Sequence, residues 1–145
     1  MDYISSLSRC GPFTEVPRRE RWRLMQAWRS VYAGALHSAT GAWKHGPLDW
    51  HVFSFGYSRG LSGARARQAY LSEQPGALLV IPESEALPAF RLEAVALPAL
   101  FSLGLDVHVF PPGLAWTMAF THEMSVGQGP YFSRREWMDE PEPAR

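Results

Sequence analysis

Residues 105–121 read Leu105-Asp106-Val107-His108-Val109-Phe110, then Pro111-Pro112-Gly113, then Leu114-Ala115-Trp116-Thr117-Met118-Ala119-Phe120-Thr121. Residues 105–110 and 115–121 are rich in β-branched and aromatic side chains, which favour strands. The Pro-Pro-Gly between them is turn chemistry. Together they predict a β-hairpin.

Working outward, residues 77–81 form a short apolar run suited to a buried strand, set off by Pro75-Gly76. Residues 90–95 fit either a strand or the start of a helix. Residues 98–103 read as a short helical turn ended by Gly104. Residues 62–72 predict a helix with Ser62 as N-cap, whose Ala64, Ala66 and Ala69 permit close packing on a sheet. Residues 50–57 predict another strand, because His51, Phe53, Phe55 and Tyr57 alternate with Trp50, Val52 and Ser54.

Farther out, residues 17–37 predict a long N-terminal helix that begins at Pro17. Met25, Trp28, Tyr32 and Leu36 repeat there at helical spacing and should face the core. Residues 1–13 read as a loosely ordered lead-in. Residues 137–145 read as an acidic, Pro-rich tail expected to be disordered. The expected fold class is α+β, a single domain over residues 1–136. A small mixed or antiparallel sheet would carry the long N-terminal helix and one or two shorter helices.

Composition bounds the function. The 145 residues are 46% hydrophobic and 19% charged, which is globular composition. Lys plus Arg balance Asp plus Glu at 14 each, so no global basic field attracts nucleic acid. Arg18, Arg19, Arg21 and Arg23 crowd the start of the first long helix, as a solvated face or as an anion patch. Cys10 stands alone, which excludes an internal disulfide and a CxxC motif. The first ten residues lack a basic start and apolar stretch, and no apolar run is long enough to cross a bilayer. The cytoplasm is the expected compartment.

The densest cluster of reactive side chains follows the hairpin. His122 and Glu123 stand at a predicted strand end, where a His and a carboxylate can act as an acid/base pair. Strand neighbours point to opposite faces, so His122 would share a face with Trp116, Met118 and Phe120 unless the strand ends or bulges. His51, His108 and His122 could supply three metal ligands, but no spacing demands it, and neither metal nor cofactor is expected. No Gly-x-Ser-x-Gly surrounds Ser54, and residues 56–63 match no nucleotide-binding loop. Trp50, His51, Trp116, Thr121, His122, Glu123, Tyr131 and Phe132 are expected to gather in one region. Gly127, Gly129 and Pro130 would fold the chain sharply back.

Trp50-His51-x-Phe53-Ser54, an Ala-rich helix, Asp106-Val107-x-Val109, Trp116-Thr117-x-x-x-Thr121-His122-Glu123 and Gly129-Pro130-Tyr131-Phe132 occur in that order. This succession, over roughly residues 20–132, resembles the bacterial domain-of-unknown-function family numbered 4275. Met118-Ala119 stands where members carry Tyr-Val, and Gly104-Leu105 where they carry acidic residues. The resemblance implies a small cytoplasmic bacterial protein and brings no activity.

Two functional readings follow. One is a non-catalytic protein-binding module, for instance an antidote or immunity-type partner, since exposed Trp and Tyr make good interface anchors. The other is a small enzyme or ligand-binding domain with a His/Glu site at the end of the 115–123 strand.

Overall fold

The computed structural model describes residues 2–139. Its helices are α1 (Tyr3–Ser8), α2 (Arg18–Tyr32), α3 (Gly34–Thr40), α4 (His51–Ser54), α5 (Gly63–Leu71) and α6 (Arg135–Met138). Its strands are β1 (Phe13–Glu15), β2 (Leu61–Ser62), β3 (Ala77–Pro82), β4 (Phe90–Glu93), β5 (Val107–Phe110), β6 (Trp116–Phe120) and β7 (Tyr131–Arg134). They form one antiparallel sheet in the order β1-β4-β3-β5-β6-β7-β2. The fold is α+β.

The hairpin forms as its sequence predicts and lies mid-sheet. Val107 faces Phe120 and Val109 faces Met118 across it, while β3 pairs with the other edge of β5. Every residue of β5 and β6 is buried, so both faces of the sheet are covered. On one face Val107, Val109, Trp116, Met118, Phe120 and Phe132 pack with α1 and α5 through Tyr3, Leu7, Ala66 and Tyr70. On the other, Leu79, Ile81, Phe110, Ala119 and Tyr131 pack with Met25, Trp28 and Tyr32 of α2 and with Trp50 and Phe53. Each large apolar side chain so removed from water stabilises the fold by about 1.5–3 kcal/mol.

Several expectations are corrected. The sheet has seven strands and is not small, because the two- and three-residue strands β2 and β1 pair at its edges. Strands that short are specified by their partners rather than by local pattern. The long N-terminal helix is divided. α2 stops at Tyr32, Ala33 leaves helical geometry, and Gly34 opens α3. Ser58 Oγ donates to the Tyr32 carbonyl at 2.5 Å, stabilising the break from outside. Residues 50–57 are not a strand. Trp50, which precedes the single turn α4, and Val52 and Phe53 within it point inward, an apolar run that periodicity alone cannot assign.

The chain ends are also more ordered than expected. Residues 3–8 form α1, capped by the Asp2 carboxylate accepting from the Ser5 N–H at 2.8 Å. Tyr3, Leu7 and Cys10 are buried. At the other end α6 holds Trp137 edge-on to Phe132, beneath the Arg59 guanidinium. The remainder of the expected tail, 140–145, lies outside the described residues.

Candidate functional site

The site is built where β6 ends. Phe120 is the last strand residue, and a turn follows with a 3-10 helix at Met124–Val126. Thr121 Oγ1 donates to the Gln128 carbonyl, and Gly129 lies against that side chain. A Cβ at Gly129 would sit 2.8 Å from Thr121 Cγ2, and its φ is +99°, so glycine is required there. The loop returns the chain into β7, which places Tyr131 opposite Ala119.

Because the strand has ended, His122 escapes the alternation. Its backbone N–H donates to Asp106 Oδ1 at 3.0 Å, and its ring Nδ1 lies 2.9 and 2.8 Å from the two Asp106 oxygens. Trp50 Nε1 donates to the same Oδ1 at 2.9 Å. His122 Nε2 faces Glu123 Oε1 at 3.4 Å. The His122 and Glu123 side chains are 44% and 41% exposed, so the pair faces water. The Asp106 hydrogen bond raises the His122 pKa above its ordinary value, with the Asp106 and Glu123 charges adding to it.

Six of the eight expected site residues share this side of the sheet. Trp50 contacts His51, His122 and Tyr131 at ring separations of 4.3, 6.4 and 5.7 Å. Thr121 and Glu123 flank His122 in the same turn. Tyr131 donates its hydroxyl to Gln128 Oε1 at 3.0 Å. Trp116 and Phe132 do not join them. They stack on each other at 6.0 Å within the opposite core, because their register points them toward α1 and α5. His51 sits on α4, with Nδ1 3.1 Å from Ser54 Oγ.

The sequence reading missed a buried polar cluster behind this site. Arg29 donates Nε to Asp49 Oδ1 at 2.7 Å and Nη2 to Oδ2 at 3.0 Å. The Trp50 backbone N–H donates to Glu83 Oε2 at 3.3 Å, and His108 Nε2 lies 3.3 Å from that same oxygen. Burial pushes the Asp49 carboxyl upward, but the Arg29 fork, His108 and Glu83 outweigh it and hold its pKa below the usual range. Among the described residues, Asp49, Glu83 and His108 form the one group of three potential metal ligands, with ligand atoms all within 4.8 Å of one another. The three-histidine set of the sequence reading is not assembled. Asp49 and Glu83 also line a cavity of about 450 Å³, beside Arg29, Lys44 and Trp22.

Two of the four arginines at the start of α2 reach the β3–β4 connection. Arg21 donates to the carbonyls of Pro82, Ser84 and Leu87 at 2.6, 2.9 and 2.6 Å, and Arg18 pairs with Glu85 at 3.1 Å. The three Arg21 bonds pin the β3–β4 connection, whereas the Arg18–Glu85 pair is solvent-exposed and contributes little.

The exposed Phe55 is linked to the His122 pair by a chain of ring contacts. Phe55 is 59% exposed and Trp43 40%. His45 packs on Phe55 at 4.3 Å, Phe55 on His51 at 5.3 Å, and His37 stacks on Trp43 at 3.9 Å. Rings therefore run without a break from His45 through Phe55, His51 and Trp50 to His122.

No helix of the described residues is long and apolar enough to cross a membrane. Comparison with protein families, curated proteins and solved structures finds no match for this chain, so the likeness to the family numbered 4275 stays an expectation from sequence.

Proposed function

We propose that this protein is a non-catalytic protein-binding module of the bacterial cytoplasm, antidote-like in mode, which covers a site on a partner protein. The observation that supports this reading is the exposed Phe55 ring, packed on the half-buried His45 and His51 and linked through Trp50 to the solvent-facing His122–Glu123 pair. Large exposed rings next to a polar rim are the make-up of interface anchors. The Asp106 carboxylate holds the Trp50 indole N–H, the His122 backbone N–H and the His122 ring, which suits a rigid platform. The test is affinity purification from the native cell with wild-type chain and with Phe55→Ala. A partner retained by the wild type and lost by the variant, at unchanged melting temperature, is the expected result. A partner held equally by both would overturn this assignment of the contact face, and no partner at all would overturn the binding reading.

A second reading keeps a specific observation of its own. Asp106 fixes one ring nitrogen of the exposed His122, the arrangement that orients a general base. In that reading His122 Nε2 would accept the substrate proton, with Glu123 beside it. Retention of partner binding by His122→Ala, together with loss of a detected activity, would favour it.

A further inference from the structure

We infer that Asp49, Glu83 and His108 form a binding site for one divalent first-row transition-metal ion, of the zinc or manganese class. The inference is independent of the protein-binding reading and of the exposed His122 pair. Two carboxylates and one imidazole are ligands that such ions accept. Their ligand atoms already lie within 4.8 Å of one another. Ligands about 2.1 Å from a shared ion sit roughly 3–3.5 Å apart, so closing on it needs only small side-chain adjustments.

The second observation is the state of His108. It lies mid-strand in the centre of the sheet, 1% exposed, and neither ring nitrogen has a hydrogen-bond partner. Nε2 approaches Glu83 Oε2 to 3.3 Å without forming a hydrogen bond. The Trp28 ring packs against the imidazole at 4.7 Å, so the side chain is held in this direction. Buried imidazole nitrogens without partners are costly, and an ion on Nε2 would satisfy one of them.

The surroundings resemble an outer shell. Arg29 grips both Asp49 oxygens and the Trp50 N–H holds Glu83, which orients the carboxylates and leaves lone pairs free. Both carboxylates line the cavity of about 450 Å³, which offers the ion a way in. Arg29 and Lys44 face the same cavity, so water or a small anion suits the remaining coordination positions.

The metal-free alternative is a polar network in which Glu83 lies beside His108 while Arg29 and Lys44 pair with Asp49. One experiment separates the two. Tag-free full-length protein is stripped with a chelator and dialysed against Zn²⁺, Mn²⁺ or Co²⁺, and bound metal is measured by elemental analysis. The expected result is saturable uptake of one equivalent of at least one ion and a melting temperature that rises with its concentration. His108→Gln should weaken uptake by at least about tenfold, whereas His51→Ala and His122→Ala should leave it unchanged. If His108→Gln does not fold, Glu83→Gln takes its place. Where Mn²⁺ is an ion taken up, the wild type carries its own check, since the first equivalent should broaden the His108 ring signals before those of His51 and His122. Absence of saturable uptake by the wild type, uptake unchanged in the folded variant, or broadening that starts at His122 would overturn the site.

Discussion

Trp50 donates its indole N–H to Asp106 Oδ1 at 2.9 Å, while its backbone N–H reaches Glu83 at 3.3 Å. A single fully buried residue thus joins the exposed His122 pair to the buried cluster. The bond spans 56 residues of sequence, and it fixes the 49–54 turn against the start of β5.

Trp50→Phe keeps most of the ring and removes the indole donor. Asp106 then loses one of three hydrogen bonds in a partly buried setting. A stability loss of about 1–3 kcal/mol is expected, read from urea denaturation. A denaturation midpoint equal to wild type would show that the indole bond contributes nothing.

The His122 charge gives a pH signature. Its pKa is raised in the fold, first by the Asp106 hydrogen bond. The stabilisation is therefore fully present below the unfolded His value, about pH 6.5. It is lost as pH rises through the higher folded value. The side chain is 44% exposed, so solvent screening keeps the effect small. Asp106→Asn should return the His122 titration toward the ordinary value, followed by the ring proton shift in NMR. A midpoint that does not fall would remove Asp106 as the cause.

The hairpin at 105–121 was legible because turn chemistry and apolar runs agree there. The core face of α2 was legible because Met25, Trp28 and Tyr32 keep helical spacing and are all buried. Residues 50–57 misled because Trp50, Val52 and Phe53 are buried apolar residues, and their order fits a strand covered on both faces as well as a single turn. Only tertiary contacts select the turn. The site was legible as a list of side chains but not as a geometry. Its organiser, Asp106, reaches Trp50 and His122 across long sequence separations, and no local pattern announces that. Arg29, Asp49, Glu83 and His108 lie on four separate segments and come together only through the sheet.

Trp28 tests the packing of α2 on the sheet. It is fully buried, and its Nε1 donates to Thr117 Oγ1 of β6 at 2.9 Å. Trp28→Ala should cost about 3–5 kcal/mol. Thr117→Val removes only the acceptor and should cost about 1–3 kcal/mol. Thermal or chemical denaturation that leaves Trp28→Ala at the wild-type midpoint would refute the packing.

Gly11 tests the order of the N-terminal segment. Its φ is +150°, and a Cβ there would come 2.0 Å from the Glu93 carbonyl oxygen. That neighbour is main chain and cannot swing aside. The same stretch is tied to β4 and beyond it by Glu93 N–H to the Pro12 carbonyl at 2.9 Å and Val95 N–H to the Cys10 carbonyl at 2.7 Å. Gly11→Ala must therefore break these bonds or strain the backbone, and a loss of at least about 2 kcal/mol is expected. Gly34 supplies the control. A Cβ there meets nothing within 4 Å, and the residue is helical. Gly34→Ala should be neutral or stabilising by about 0.4–1 kcal/mol, because the unfolded chain loses freedom. The paired melting curves decide. Were residues 1–13 the loose lead-in that their sequence suggests, Gly11→Ala would leave the midpoint where it is.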